Sequence, residues 1–160
     1  MTAVTLTSVI PAVAEAVKDA INAASESGAL SKKVTAVRKW LPAVELQDID
    51  GIFVLVIAKS IDSTIATRAK DWSDVSIDVG FFMKLTNEGE ADADELFGFM
   101  QEISGVLRPG LAQVLPGVDA GWQQRTSDPI FDVTTMQTTR VLRSATTYRF
   151  KVYHDVEIGA

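Results

Sequence analysis

His154 is the only histidine of the chain and there is no cysteine, so the groups that most often do chemistry near neutral pH reduce to one imidazole and the carboxylates. The lack of thiols excludes a disulfide framework, thiolate zinc sites and a cysteine nucleophile, and suits a reducing compartment. Any catalytic dyad or triad, or any histidine-rich metal site, would have to use His154. It is followed by Asp155, and in an extended segment such neighbours point to opposite faces, so the acid cannot orient the imidazole as a catalytic pair requires. Glu88, Glu90, Asp92, Asp94 and Glu95 form an acidic run. Clustered carboxylates can hold Ca²⁺ or Mg²⁺, but here the ladder of oxygen ligands closed by a glutamate at the twelfth loop position is missing. The alternative is that these acids favour the dipole of a helix they precede. Glu45, Asp48 and Asp50 offer a carboxylate pair for acid–base work with no second group beside them, in a stretch that reads as a turn. Gly105, Gly110, Gly117 and Gly121 are too dispersed for a phosphate-cradling loop. These residues assign no catalytic group, cofactor or metal.

A different kind of chemistry is carried by the cations and aromatics. Arg140, Arg143, Arg149 and Lys151 are the one basic concentration, while Trp40, Trp72, Trp122 and Phe82 are large rings that need not all fit one core. On a solvated strand face such charges are ordinarily inert. At obligate contacts, arginine and aromatic residues are enriched.

The elements that must position these residues centre on the stretch from Asp74 to Leu107. Val75, Ile77, Val79, Phe81, Met83 and Leu85 alternate with Ser76, Asp78, Gly80 and Lys84, the period of a strand with one buried face. Phe82 breaks the alternation. It is expected to lie under a loop, a helix or an adjacent subunit, because an exposed ring there would leave apolar area in water. Leu96, Phe99, Met100, Ile103 and Leu107 then recur at helical spacing, with Asp92 and Glu95 spaced as a capping box and Arg108-Pro109-Gly110 as a stop.

Before this unit, Ser8 is the expected cap of a first helix with Pro11 in its first turn. Ile10, Val13, Val17, Ile21 and Ala24 form its apolar stripe, and Gly28 ends it. Val34 to Trp40 reads as a strand ended by Pro42. Asp50-Gly51 is a turn leading into the apolar run from Ile52 to Ala58, which reads as a strand covered on both faces and as the centre of the sheet. The polar residues from Lys59 to Asp74 are expected to form an exposed loop. Residues 111–121 allow one short turn, and residues 129–135 read equally as a strand or the start of a helical turn. Tyr148, Phe150, Val152 and Val156 on one face, with Arg149, Lys151 and Asp155 on the other, give a last long strand. The order is helix, two or three strands, helix, one or two strands. It is expected to form one α+β domain over residues 1–160, with a first helix over 1–30 and a mostly antiparallel sheet with helices packed on one face over 33–160.

The formal charge of −6 and the isoelectric point near 4.7 oppose a surface that grips nucleic acid by neutralising phosphates. The N-terminal stretch lacks the basic region of a signal peptide and no apolar run approaches membrane-spanning length, so a soluble protein made in the cytoplasm is expected, with no membrane partner.

Several segments, in this order, resemble small virion proteins of bacteriophages and prophages, of the head–tail joining and tail-terminator kind. They are Val34 to Pro42 followed by Leu46-Gln47-Asp48, the strand from Phe53 to Ile57, and Arg68 before Val75 to Gly80. Ala93-Asp94-Glu95-Leu96, Asp128 to Asp132 and Thr146 to Phe150 complete the set. The likeness covers most of the chain from residue 33 onward and lies in the order and spacing of its pieces.

The resemblance implies a tail-terminator-like fold and a non-enzymatic protein without cofactor or active-site residues. It implies self-association into a closed ring, often sixfold and here expected to be a hexamer, within the virion at the head–tail neck or the end of the tail tube. Its partners would be further copies, the tail tube protein and the neck or connector proteins. DNA would pass through without specific binding, which an acidic chain suits. Phe82, Arg68, Trp72, Arg140 and Arg143 are the expected interface residues. Head-completion, connector or tube proteins are alternatives within the same setting. From another class, a small ligand-binding or carboxylate-using α+β enzyme remains the rival.

Overall fold

The computed structural model describes residues 6–40, 51–65, 70–86, 89–109, 122–127, 137 and 139–155. In chain order the elements are α1 (Leu6–Glu26), β1 (Ala36–Arg38), β2 (Ile52–Ile65), β3 (Lys70–Lys84), α2 (Gly89–Leu107), β4 (Trp122–Thr126) and β5 (Val141–Asp155). The strands form one sheet in the order β1-β2-β3-β5-β4, in which only the β1–β2 pair is parallel. Both helices pack on the same face, which makes this the expected α+β fold.

The core follows from the two periodicities. The odd positions of β3 (Val75, Ile77, Val79, Phe81 and Met83), the even positions of β5 from Tyr148 to Val152, and Val54 and Val56 of β2 all point to one side. There they meet Val9, Val13, Val17 and Ile21 of α1 and Leu96, Phe99, Met100, Ile103 and Leu107 of α2. Removing this apolar surface from water is the main stabilising term.

Several expectations are corrected. α1 begins at Leu6, upstream of Ser8, so Pro11 lies inside the helix and not in its first turn. Its other end is as expected: Gly28 has φ 78°, the Gly28 N–H reaches Ser25 O at 3.3 Å and the Ala29 N–H reaches Ala24 O at 3.0 Å, the paired bonds of a Schellman stop. β1 keeps only three residues, and α1 side chains bond backbone groups at its start and just before it. The Val34 N–H donates to Ser25 Oγ at 2.9 Å. Asn22 accepts from the Ala36 N–H at 2.7 Å and donates to Ala36 O at 3.2 Å.

The central strand is β3, not the apolar run of β2, which stands next to the short β1. Phe53, Leu55 and Ile57 on its outer face pack with Phe82 and Val141 instead of a helix layer. The expected loop from Lys59 to Asp74 is largely a hairpin, since β2 and β3 stay paired from Ser60↔Ser76 to Ile65↔Asp71, past a bulge at Lys59. Polar residues are compatible with strand there because Ser60 and Asp62 to Ile65 meet water, while the fully buried Ser73 hydroxyl is paired with that of Ser63 at 2.7 Å.

α2 starts at Gly89, three residues before Asp92. The expected capping box is split: Asp92 Oδ2 accepts from the Thr86 N–H at 2.7 Å and from Thr86 Oγ1 at 2.8 Å, while Glu95 pairs with Lys32 at 2.5 Å. The helix stops at Leu107 as expected, with Arg108 and Pro109 in a turn. β5 begins at Val141 and so takes in Arg143. Pro42, Asp50, Val156, the stretch from 111 to 121 and the stretch from 129 to 135 lie outside the described residues.

Candidate interaction surface

The sheet has two unlike faces. The face turned from the helices begins, at the N-terminal end of β2, with an apolar cluster of Leu55, Phe82 and Val141, bordered by Phe53 and Ile57. Phe82 is only 8% exposed within the single chain. Its ring lies back along β3 over Gly80, where an added Cβ would stand 3.3 Å from Phe82 Cε2. Phe53 meets it edge-on with centroids 6.2 Å apart, and the Arg143 guanidinium sits 5.5 Å from its centre. The apolar area that motivated an intersubunit cover for Phe82 is therefore already covered by its own chain.

Farther along the same face the character turns polar. Thr147 Oγ1 donates to Asp78 Oδ1 at 2.5 Å, Lys59 Nζ stands 3.9 Å from that oxygen, and Arg149 donates to Asp74 Oδ2 at 2.8 Å. At the far end Trp72 tilts against Tyr153 with centroids 4.7 Å apart and carries Lys151 Nζ at 5.0 Å. This end is an arm. β3 has fifteen residues and α1 twenty-one, lengths of about 50 Å and about 31 Å at their respective rises. The strands are longer than the helix packed on them, but Ser73 and Val152 are still fully buried on the helix side, so the exposed part of the arm is its tip, around Ile65 and Trp72. Ile65 is 82% exposed and Trp72 40% exposed on this arm.

The expected interface residues do not form one patch. Trp72 and Phe82 share a face of β3 but are ten positions apart, about 33 Å along the strand. Arg143 joins Phe82. Arg140 is exposed with φ 57°, and its carbonyl accepts the Leu85 N–H at 2.9 Å, extending the β3–β5 ladder by one bond. Arg68 lies outside the described residues, as do Glu45, Asp48 and Glu88. The backbone of His154 pairs with Asp71, and its side chain is outside the described set. Among the described residues no three of histidine, aspartate and glutamate stand together as metal ligands, and no helix is long and apolar enough to cross a membrane.

Beneath the other face, α2 and the β4–β5 edge enclose two adjoining depressions of about 190 and 210 Å³, walled by Gln101, Ser104, Arg108, Trp122 and Arg125 among others. A polar knot closes their floor. The hydroxyls of Ser104 and Tyr148 are 2.6 Å apart, and Trp122 Nε1 donates to Ser104 O at 3.2 Å. Burial pushes the Tyr148 phenol above its ordinary range, with the Ser104 bond opposing. Hydrogen bonds from Lys18 and Arg38 hold the Glu15 carboxyl below its usual range. The same Glu15 raises Lys18, and Glu95 raises Lys32.

Sequence reasoning missed the arm, the Asn22 and Ser25 clamp and the Ser104–Tyr148–Trp122 knot. Only the arm had a signal. Ile61 and Ile65 against Ser60, Asp62 and Thr64 keep the alternation of a strand. The geometry defines an α+β protein with a one-sided helix layer and a strand arm. No protein-family model matches the chain, and no curated protein is significantly similar to it.

Proposed function

We propose that this chain is a structural protein of a phage virion that assembles with copies of itself into a closed ring at the head–tail neck, most directly as a tail terminator. The observation that carries the reading is the tip of the β2–β3 hairpin, with Ile65 and Trp72 exposed on it. Isolated exposed residues are ordinary, but apolar side chains on both faces of one hairpin tip, Ile65 on one and Trp72 on the other, suit an element held between neighbouring copies. The resemblance described above supplies the biological setting; its segments beginning at Val34, Phe53, Val75, Ala93 and Thr146 coincide with β1, β2, β3, α2 and β5, and the others lie outside the described residues. The ring works by shape: it occupies the contacts of the last tube subunits and presents its other rim to the connector. Subunits related by a heterologous, closing contact are what such a ring requires.

Native mass spectrometry of the purified protein tests self-association. A single closed oligomer is expected, and Ile65→Ser with Trp72→Ser should shift it toward monomer while leaving the unfolding midpoint within a few degrees of wild type. Removing the gene from a phage that carries it should give unjoined heads and tails of uncontrolled length. Monomer at high concentration, or normal virions without the gene, would refute the proposal.

A further inference from the structure

We infer that the open edge of β2 beyond β1 receives β4 of a second copy as its antiparallel partner, so that the sheets of successive copies run on into one another. This rests on the ring reading above and adds a second contact to the one at Ile65 and Trp72.

Among the described residues the sheet leaves two edges unpaired. β1 covers β2 only at Val54, Leu55 and Val56, with a last bond from the Lys39 N–H to Val56 O at 3.0 Å. Among the described residues no strand pairs with that side of β2 from Ile57 to Ile65. At the opposite end β4 is the terminal strand, and no described strand pairs with its outer side. Rows of unpaired N–H and C=O groups are templates for another strand.

Direction and height both fit. β2 and β5 each run antiparallel to β3 and are therefore parallel to one another, and β4 runs against β5 and so against β2. Following the ladders across the sheet, Ile57 is level with Asp78, Thr147 and Thr126. Ser60 is level with Ser76, Arg149 and Gln124, and Ile61 with Val75, Phe150 and Trp122. β4 thus stands at the height of the part of β2 that β1 leaves open. A rotation that keeps this level and direction brings β4 of one copy against β2 of the next, the twist of the sheet tilting the strands to the rotation axis. That is the operation of a closed heterologous ring. The faces agree as well: Ile57 and Ser60 meet Thr126 and Gln124 on the face away from the helices, and half-buried Ile61 meets half-buried Trp122 on the helix side. Trp40, 57% exposed, follows directly on the last β1–β2 bond. A charge can guard an edge, but Lys59, the bulged residue of this one, reaches over the sheet face to Asp78.

The absence of cysteine makes the test clean. Ser60→Cys and Gln124→Cys are placed together in one chain and oxidised. Within a chain these positions are three strand spacings apart, about 14 Å, too far for a disulfide. The expected result is a covalent ladder ending in a closed species of the mass found for the native oligomer. Neither single variant should cross-link, and Ser60→Cys with Arg125→Cys, which sets the thiols on opposite faces, should not either. Dimers from Ser60→Cys alone would show β2 pairing with itself and overturn the inference. A closed oligomer that the double variant does not cross-link would overturn the edge pairing and leave the ring reading standing. Monomer throughout would end both. Cross-linked rings from a phage whose tails and necks form normally without the gene would support the pairing and remove the neck function.

Discussion

The ring of Phe82 can lie flat on its own strand because residue 80 has no side chain beneath it. That single absence turns a phenylalanine on a polar face into the centre of a small second core with Leu55, Val141 and Phe53, topped by the Arg143 guanidinium. A cation over an aromatic face is itself stabilising, by about 0.5–1 kcal/mol at exposed sites. Phe82→Ala is therefore expected to lower the unfolding free energy by about 3 kcal/mol, as large-to-small changes at buried aromatics do. The oligomer should keep its mass at temperatures where the variant remains folded. Chemical denaturation together with native mass spectrometry reads both. Loss of the oligomer with an unchanged midpoint would return Phe82 to the intersubunit contact.

At the scale of elements, the short β1 is held as much by α1 as by the sheet. Asn22 and Ser25 bond the backbone of Ala36 and Val34, and Arg38 Nε donates to Glu15 Oε1 at 2.6 Å while Lys18 sits 2.7 Å from Oε2. Because Glu15 is depressed below its ordinary value of 4.5, its contribution is present above that pH and fades as pH falls through the lower folded value. The pairs are partly exposed, so Glu15→Gln should cost only about 0.5–1 kcal/mol at neutral pH. The difference from wild type should shrink to nothing in strong acid. Urea titrations at pH 7 and well below the ordinary value of 4.5 measure it, and an equal deficit at both would mean the loss is packing instead of charge.

Across the whole molecule, Tyr148 ties three elements together: it lies on β5, its hydroxyl meets Ser104 of α2, and its ring stands 6.1 Å from that of Trp122 on β4. The folded phenol resists ionisation above the ordinary value of 10.0, whereas the unfolded one does not. The native state consequently binds more protons in that window, and stability falls as pH rises past 10. Tyr148→Phe is expected to cost about 1 kcal/mol at pH 7 through the lost hydrogen bond and to lack this part of the alkaline decline. Unfolding curves at pH 7 and above pH 10 for both proteins test the sign. A parallel decline in the variant would assign the alkaline loss elsewhere.

The local chain determined what depends on neighbours in sequence. The alternation of Val75 to Met83, the stripe from Leu96 to Leu107, the stop at Gly28 and the order of elements follow from side-chain period and backbone preference alone. The same reasoning misplaces the hairpin arm, because the polarity between Lys59 and Asp74 masks the surviving alternation of Ile61 and Ile65. It puts the sheet centre in β2, because apolar content reports burial but not which strands flank which. What tertiary structure decided is long-range: Ser25 and Asn22 bonding the backbone of Val34 and Ala36, Gly80 making room for Phe82, Ser104 meeting Tyr148, and β4 standing level with the edge of β2 that β1 does not cover. Each joins residues far apart in the chain or depends on register across several strands, and no local period carries that information.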